Sequence, residues 1–427
     1  MSKFKFNISP RFRSRRFINK FYFSIDIRKS EVFELLNKIT QKDTILDYIQ
    51  LRIGLLHFLN EVLPINSFVA TTSYTIFDLI NVIISSGKNP IFVDIDKNNL
   101  GPDLTELKQL VISKKVNCVI YTYLHGYKTD LSEFANICKE HNCILIEDCA
   151  QSLWSLENKI CPGFYGDAAL FSTGLFKNIN TISGGLLCIN SKEYFSKKII
   201  DSHKKLKNNL SKEFINRFFY ALFFKFITSK LVFPFITFPI LKFGFINDLE
   251  FINKRAREEN NPKIIYRDQK SLLRMNNIQK LLLMMKTKKS ISQDFQKKKF
   301  IAELYLKDLK LILEKKLIII PGLNFDYRIS NLIQISSNNQ IPILCNNRQD
   351  LLKFLIKNNI DIAAQHIRNL TNCDIYKKYV NQVAKNSDEI SKKIILLPCY
   401  PDYPRGEIKK ITNLLNQFYF NNFNCEV

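Results

Sequence analysis

The sequence predicts an α/β protein, with a large unit built on a mainly parallel sheet and a smaller C-terminal α/β unit. Three observations predict it. Between residues 46 and 188, short β-branched or aromatic runs alternate with segments of helical period, as in a parallel sheet covered by helices on both faces. After Leu317 a second, shorter α/β pattern begins. With 427 residues and 46% hydrophobic content, the chain can build two domains and a large core.

The N-terminus, MSKFKFNISPRFRSRRFINKF, is basic, free of acids up to Asp26, and lacks the long apolar core of a secretory signal. It reads as a basic arm on the folded protein, with a transit peptide as the competing reading. Residues 1–45 are assigned to this arm and a leading helix. Strands are expected at 68–70, 90–93, 118–121 and 143–146. Between them, Leu104, Leu107, Leu110 and Val111 share one helical face, as do Leu131, Phe134, Ala135 and Cys138. Segment 76–84 is apolar nearly all round and reads as a buried helix. A further strand is expected at 168–172, and Gly184-Gly185 introduces another apolar run.

Segment 191–265 departs from this pattern. Its ends are highly charged, and its middle, 218–246, is dense in Phe, Leu and Ile, interrupted by Lys225, Lys230, Lys242, Pro234 and Pro239. The longest uncharged run is too short to span a bilayer. The insert reads either as an interfacial segment in peripheral contact with a membrane or as a lid or dimer-packing element. A long helical pattern then runs over 272–311, with Ile278, Leu281, Leu282 and Met285 on one side. The smaller unit follows: a strand at 340–344, a helix at 350–358, a strand at 394–397, and a closing amphipathic helix at 407–418. The boundary falls within 290–315, giving a large domain over 46–305 and a small one over 306–427.

The net charge of +24 fits either an acidic partner or a lysine-rich solvated surface. No RNP-like, zinc-finger or helix-turn-helix pattern accompanies it, so a nucleic-acid partner is not expected. Ten cysteines occur without a CxxC pair, and the five histidines are scattered. These features predict buried reduced thiols, no metal, and a reducing compartment, the cytoplasm.

In mainly parallel sheets, ligands gather at the C-terminal ends of the strands. Asp94, His125 and Asp148 sit at or just past such ends. Asp148 closes the apolar run Ile146-Glu147-Asp148, where a carboxylate is costly unless paired. A cofactor with a pyridine nitrogen would supply the pairing, and helix capping is the alternative. Lys177, between an apolar strand and Gly184-Gly185, could bond an aldehyde and move protons if its surroundings lower its pKa; a surface lysine is the alternative. Ser172-Thr173-Gly174 offers donors for a phosphate or a simple turn. Gly54, within Arg52-Ile53-Gly54-Leu55-Leu56, could open a helix whose N-terminus faces an anion, or could serve helix packing.

Together, Ile146-Glu147-Asp148-Cys149-Ala150-Gln151-Ser152, Gly166-Asp167, Phe171-Ser172, Lys177-Asn178 and Gly184-Gly185 resemble the DegT/StrS-type sugar aminotransferases, which are PLP-dependent transferases of fold type I. Supporting pieces are Thr72-Ser73-Tyr74-Thr75, the PIFVDID stretch at 90–96, Tyr123-Leu124-His125-Gly126 and Arg274-Met275-Asn276-Asn277-Ile278-Gln279. The resemblance runs from about residue 45 to about 420, excluding the insert.

The resemblance implies that Lys177 carries pyridoxal 5′-phosphate covalently and shuttles protons, while Asp148 pairs with the ring nitrogen. Gln151 is expected near the ring's 3′-oxygen. Ser172 and the backbone around Ile53 and Gly54 are expected on the phosphate. The hydroxyl donors usual in that turn are absent over 51–54, so Arg52 is expected as a direct phosphate ligand. Ile76 stands where an aromatic ring is usual, so Tyr74 is the candidate replacement. Arg274 and His125 are expected toward the substrate or the neighbouring subunit's site in a homodimer with shared active sites. The implied activity is amino transfer, with glutamate as donor, to a nucleotide-linked keto sugar for surface-polysaccharide or amino-sugar synthesis. The alternatives are a PLP-dependent deoxysugar dehydratase and a non-catalytic, basic, membrane-associated protein on the same fold. Retention of lysine at 177, where dehydrating relatives carry histidine, favours transamination.

Overall fold

Near-continuous apolar runs form the strands of a seven-stranded sheet, because strands buried on both faces must be apolar at both alternations. The computed structural model describes residues 30–152, 162–208, 210–249, 251, 264–266, 271–323, 339–364 and 367–423. Of the basic arm and leading helix expected over 1–45, residues 1–29 lie outside them. The strands are β1 (Thr44–Tyr48), β2 (Phe68–Thr72), β3 (Tyr74–Thr75), β4 (Asn89–Val93), β5 (Cys118–Thr122), β6 (Ile144–Asp148), β7 (Ala168–Ser172) and β8 (Gly185–Ile189). All but β3 form the main sheet, in the order β1-β8-β7-β6-β5-β2-β4. β4, β2, β5, β6 and β7 are mutually parallel. β8 runs antiparallel to both of its neighbours, β7 and β1.

Side-chain alternation along each strand feeds two cores. On β6, Ile144 and Ile146 join one face and Leu145 the other. The first face is covered by α2 (Leu51–Val62) and α3 (Phe77–Ser85), through residues such as Leu55, Phe58, Ile80 and Ile83. The second face is covered by α1 (Glu31–Thr40), α4 (Leu104–Ile112) and α5 (Ser132–Glu140), through Leu35, Leu107, Val111 and Phe134.

The segment expected as one long helix over 272–311 is two. The first, Asn277–Met284, is capped by Asn276 and Gln279, and the second, Lys288–Asp308, by Thr287 and Ser290. The second helix joins the two units. Its Ile291 and Phe295 lie in the large sheet's core, and its Ile301, Ala302 and Tyr305 lie in the core of the small unit. That unit holds β9 (Gln340–Leu344), β10 (Ala363–Ala364) and β12 (Ile394–Pro398) in an antiparallel sheet ordered β10-β12-β9. Helices Arg348–Lys357 and Arg405–Phe423 pack on it. β11 (Arg368–Asn369) leaves the small unit to pair with β3.

The insert forms α6 (Ser196–Lys204), α7 (Lys212–Ile227), a π-helical turn Phe233–Thr237 and α8 (Phe238–Ile246). α7 buries Phe214 and Ala221 against the large core, and α8 buries Phe245 in the small one. Among the described residues, no helix is long and apolar enough to cross a membrane. The described cysteines are unbridged thiols, and all but the half-buried Cys373 are buried.

Candidate functional site

Strand register gathers the predicted residues on one edge. Thr122 pairs with Asp148 across β5 and β6. Ser172 pairs with Gly185 across β7 and β8, and Gly185 pairs with Tyr48 of β1. Because β1 runs in the same sense as β7, the turn after Tyr48 brings the start of α2 to the same C-terminal edge. An acid, a hydroxyl and a helix N-terminus therefore meet where a parallel sheet collects ligands.

Asp148 is fixed by the Ala150 N–H, 3.0 Å from Oδ1, with the Thr122 hydroxyl at the long distance of 3.5 Å from Oδ2. Burial pushes its carboxyl up from the usual range, against the Ala150 hydrogen bond and the positive charge of Lys177. Lys177 stands in the loop between β7 and β8. Burial lowers its amine, and attraction to Asp148 opposes that. Both residues keep part of their surface open to solvent. The lysine's loop is pinned on both sides. The Thr173 and Thr181 hydroxyls are 2.8 Å apart, the Asn178 amide donates to the Ser152 carbonyl at 3.3 Å, and the buried Lys298 donates to the Asn178 carbonyl oxygen.

Gln151 accepts the His125 backbone N–H at 2.9 Å on its Oε1. With that oxygen engaged, its amide nitrogen is the group left to donate. His125 reaches this position in a left-handed conformation, φ 54°. His125 thus meets Gln151 through its backbone. Beside Gln151, the buried Ser152 Oγ has no hydrogen-bond partner among the described residues.

The anion-binding candidate is the first turn of α2. The helix opens at Leu51, three residues before Gly54, and Gln50 provides no side-chain cap. The Ile53 and Gly54 N–H groups donate to the Gln50 carbonyl, so the donors facing outward belong to Leu51 and Arg52. Gly54 instead serves packing, since a Cβ there would lie 2.9 Å from the Tyr48 ring. Gly185 lets this turn approach the sheet: a Cβ on it would sit 2.2 Å from Leu51 Cα. The Arg52 guanidinium is ion-paired with Asp78 in the first turn of α3.

Two predicted residues lie elsewhere. Tyr74 is fully buried in the seam with the small unit, among Ile95, Leu124, Ile367 and Leu396, and its strand pairs with Asn369. Arg274 is held in its own chain, 3.1 Å from Asp47 of β1. Asp47 also accepts the Met275 N–H at 3.0 Å and faces Lys280 at 3.5 Å, bracing segment 274–280 against β1.

The sequence reading missed Glu147. Fully buried, it accepts the Tyr123 hydroxyl at 2.5 Å and the N–H groups of Gly163 and Gly166 at 2.8 and 2.5 Å. It fixes the chain leading into β7. An acid directly after the apolar run 143–146, followed by glycines 16 and 19 residues on, was the available signal. Asp94, which shares the sheet edge, caps the helix Lys385–Lys393 by accepting the Asn386 and Ser387 N–H groups.

The family model for the DegT/DnrJ/EryC1/StrS aminotransferase family matches residues 55–215 and 259–416. The chain belongs to this family. Its match to the GDP-perosamine synthase of Vibrio cholerae is 31% identical over 140 residues, 33% of this chain and 36% of that protein. The match thus spans about a third of the curated relative's length. Among solved structures, the chain resembles Helicobacter pylori PseC, an aminotransferase of pseudoaminic acid biosynthesis. The TM-score is 0.65 at 18% identity, over 91% of this chain and 90% of that one. It also resembles an E. coli GDP-4-keto-6-deoxy-D-mannose-3-dehydratase holding hydrated PLP, at TM-score 0.64 and 14% identity over 91% of each chain. These two likenesses establish the fold.

The family's cofactor, pyridoxal 5′-phosphate, fits the residues gathered at the edge. An uncapped helix N-terminus and a serine hydroxyl suit its phosphate, a buried carboxylate that burial disfavours in its charged form suits a protonated ring nitrogen that would compensate it, and an amine with a lowered pKa suits its aldehyde. The orphaned Ser152 Oγ marks a further polar position beside Gln151.

Proposed function

We propose that this protein is a PLP-dependent aminotransferase that moves an amino group, with glutamate as donor, onto a keto sugar carried by a nucleotide. The observation that carries this reading is the burial of Asp148 and Lys177 together at one sheet edge, where burial favours the neutral Lys177 amine and leaves the Asp148 carboxylate in need of a positive partner. When bound, the cofactor would act as an electron sink for a carbanion. Lys177 would hold the cofactor, and its amine would take and return the donor's α-proton. Its lowered pKa keeps more of the amine neutral, and so basic, near neutral pH. Asp148 keeps the ring nitrogen charged, and the ring nitrogen compensates its burial in return. Gln151 donates toward the ring's 3′-oxygen. Ser172 and the Leu51 and Arg52 N–H groups hold the phosphate.

Arg52 reaches the phosphate as its ligand once that anion competes with Asp78. Residues 46–305 form the cofactor domain and 306–427 the small domain, and the enzyme works in the cytoplasm as a homodimer. Arg274 completes the neighbour's site while Asp47 sets its position. The product enters surface-polysaccharide or amino-sugar synthesis. The test is amine transfer: protein loaded with PLP and glutamate, offered nucleotide-linked 4-keto sugars, should yield an amino sugar and 2-oxoglutarate in equal amounts. Release of ammonia without amino sugar would assign the site to dehydration instead.

A further inference from the structure

We propose that the outer face of α7 and α8 docks the protein on an anionic membrane surface. The face is apolar and exposed. Phe219, Phe223 and Phe226 follow one another at helical spacing on α7, exposed by 63%, 59% and 62%. Phe235, Ile240 and Phe243 continue the exposure through the π-helical turn into α8. The opposite side of α7 is anchored by Phe214 and Ala221, so the exposed rings are the outward half of a docked helix. Singly exposed apolar residues are ordinary on a protein surface, but a contiguous aromatic face is not.

Charge selects the occupant. Between residues 212 and 230 there are four basic side chains, Lys212, Arg217, Lys225 and Lys230, against one acid, Glu213, while Lys242 donates to the Lys357 carbonyl and to Asn359 Oδ1 of the small unit. Glu213 is turned to the protein, where it accepts the Gln50 amide at 2.6 Å. Lysine is depleted at protein–protein interfaces and favoured on helices lying in a membrane surface, where its stem rests on apolar groups and its amine meets lipid phosphates. The aromatic rings enter the boundary between headgroups and acyl chains. Neither helix spans the bilayer; the contact is peripheral.

The docking helix also touches the candidate site. Phe224 packs edge-on against Phe176, the residue before Lys177, with centroids 5.1 Å apart, and the Glu213–Gln50 bond meets the start of α2. The inference does not depend on the catalytic reading: Lys177→Ala should bind membranes as the wild type does.

The test is sedimentation of the full chain with vesicles of phosphatidylcholine alone and with vesicles of equal parts phosphatidylcholine and phosphatidylglycerol. The protein should pellet with the anionic vesicles, remain largely in solution with the neutral ones, and be released by added salt. Replacing Phe219, Phe223 and Phe226 together by serine should weaken anionic-vesicle binding by about a hundredfold, since three rings lose their burial in lipid. Lys225→Glu with Lys230→Glu should weaken it through charge alone, leaving all apolar packing in place. Wild-type protein that pellets with neither vesicle overturns the proposal, as does either variant binding anionic vesicles like the wild type. A dimer that falls to monomers in the serine variant, with no vesicle binding by the wild type, would assign the face to a second copy of the chain.

Discussion

Gly185→Ala should separate cofactor binding from folding. A methyl at 185 would lie 2.2 Å from Leu51 Cα, 2.5 Å from Leu51 N and 2.9 Å from Leu51 Cβ. Two of these are backbone atoms, so no side chain can rotate away. An ordinary contact begins near 3.4 Å, and the first turn of α2 must therefore retreat by about 1.2 Å. Overpacking of this kind costs about 1–3 kcal/mol. The rest of α2 stays docked, because Leu55, Leu56, Phe58 and Leu59 are buried. The Leu51 and Arg52 N–H groups, however, move away from Ser172. A misplacement near 1 Å in a positioned site costs on the order of 100-fold. Titration with PLP, followed by absorbance, should show affinity reduced by about 10–100-fold, while a thermal melt shows one cooperative transition at slightly lower temperature. Wild-type PLP affinity in Gly185→Ala would refute the idea that the α2 turn holds the phosphate.

Two further outcomes follow from buried acids. Glu147→Ala leaves the Tyr123 hydroxyl and two backbone N–H groups without their acceptor, and should cost about 3–5 kcal/mol in a denaturant melt; Glu147→Gln, which keeps an acceptor oxygen, should cost less. A neutral effect of the alanine would show that the chain entering β7 does not depend on this carboxylate. Asp148→Asn should stabilise the cofactor-free protein by about 1 kcal/mol near neutral pH while strongly weakening PLP binding. The sign follows from the raised folded pKa: the ionised carboxylate penalises the fold. That penalty is absent below the unfolded value of about 3.9, grows as pH rises through the folded value, and stays full above it. The gain in melting temperature should therefore fade toward about pH 4, and a variant less stable than wild type at neutral pH would contradict the assignment.

The elements legible in the sequence were those whose burial follows from local pattern. β5, β6 and β7 are apolar at successive positions, and α3 is apolar nearly all round, so each announces itself without reference to distant residues. The order Asp148, Ser172, Lys177, Gly185 was legible for the same reason: Asp148 and Ser172 end such runs, Gly185 begins one, and Lys177 lies between the last two. What was hidden depends on partners far along the chain. β1 is a short strand whose Asp47 is satisfied by Arg274, Met275 and Lys280 more than 200 residues away. Tyr74 lies in a polar-looking TTSYT stretch, yet β11, nearly 300 residues on, buries it completely. The polar run at 286–290 interrupts the apolar pattern, and the Thr287 and Ser290 cap within it divides the helical segment over 272–311. Gly54 was ambiguous between anion binding and packing. The close Tyr48 ring, a tertiary contact, decides for packing.

The central claim is that Lys177 is the residue that carries the cofactor. Incubation with PLP, reduction with borohydride, proteolysis and peptide mass measurement test it directly. The account predicts a single pyridoxyl-phosphate adduct on Lys177, lost in Lys177→Ala and strongly diminished in Asp148→Asn. An unlabelled Lys177, or label spread over the many surface lysines with none preferred, would contradict it.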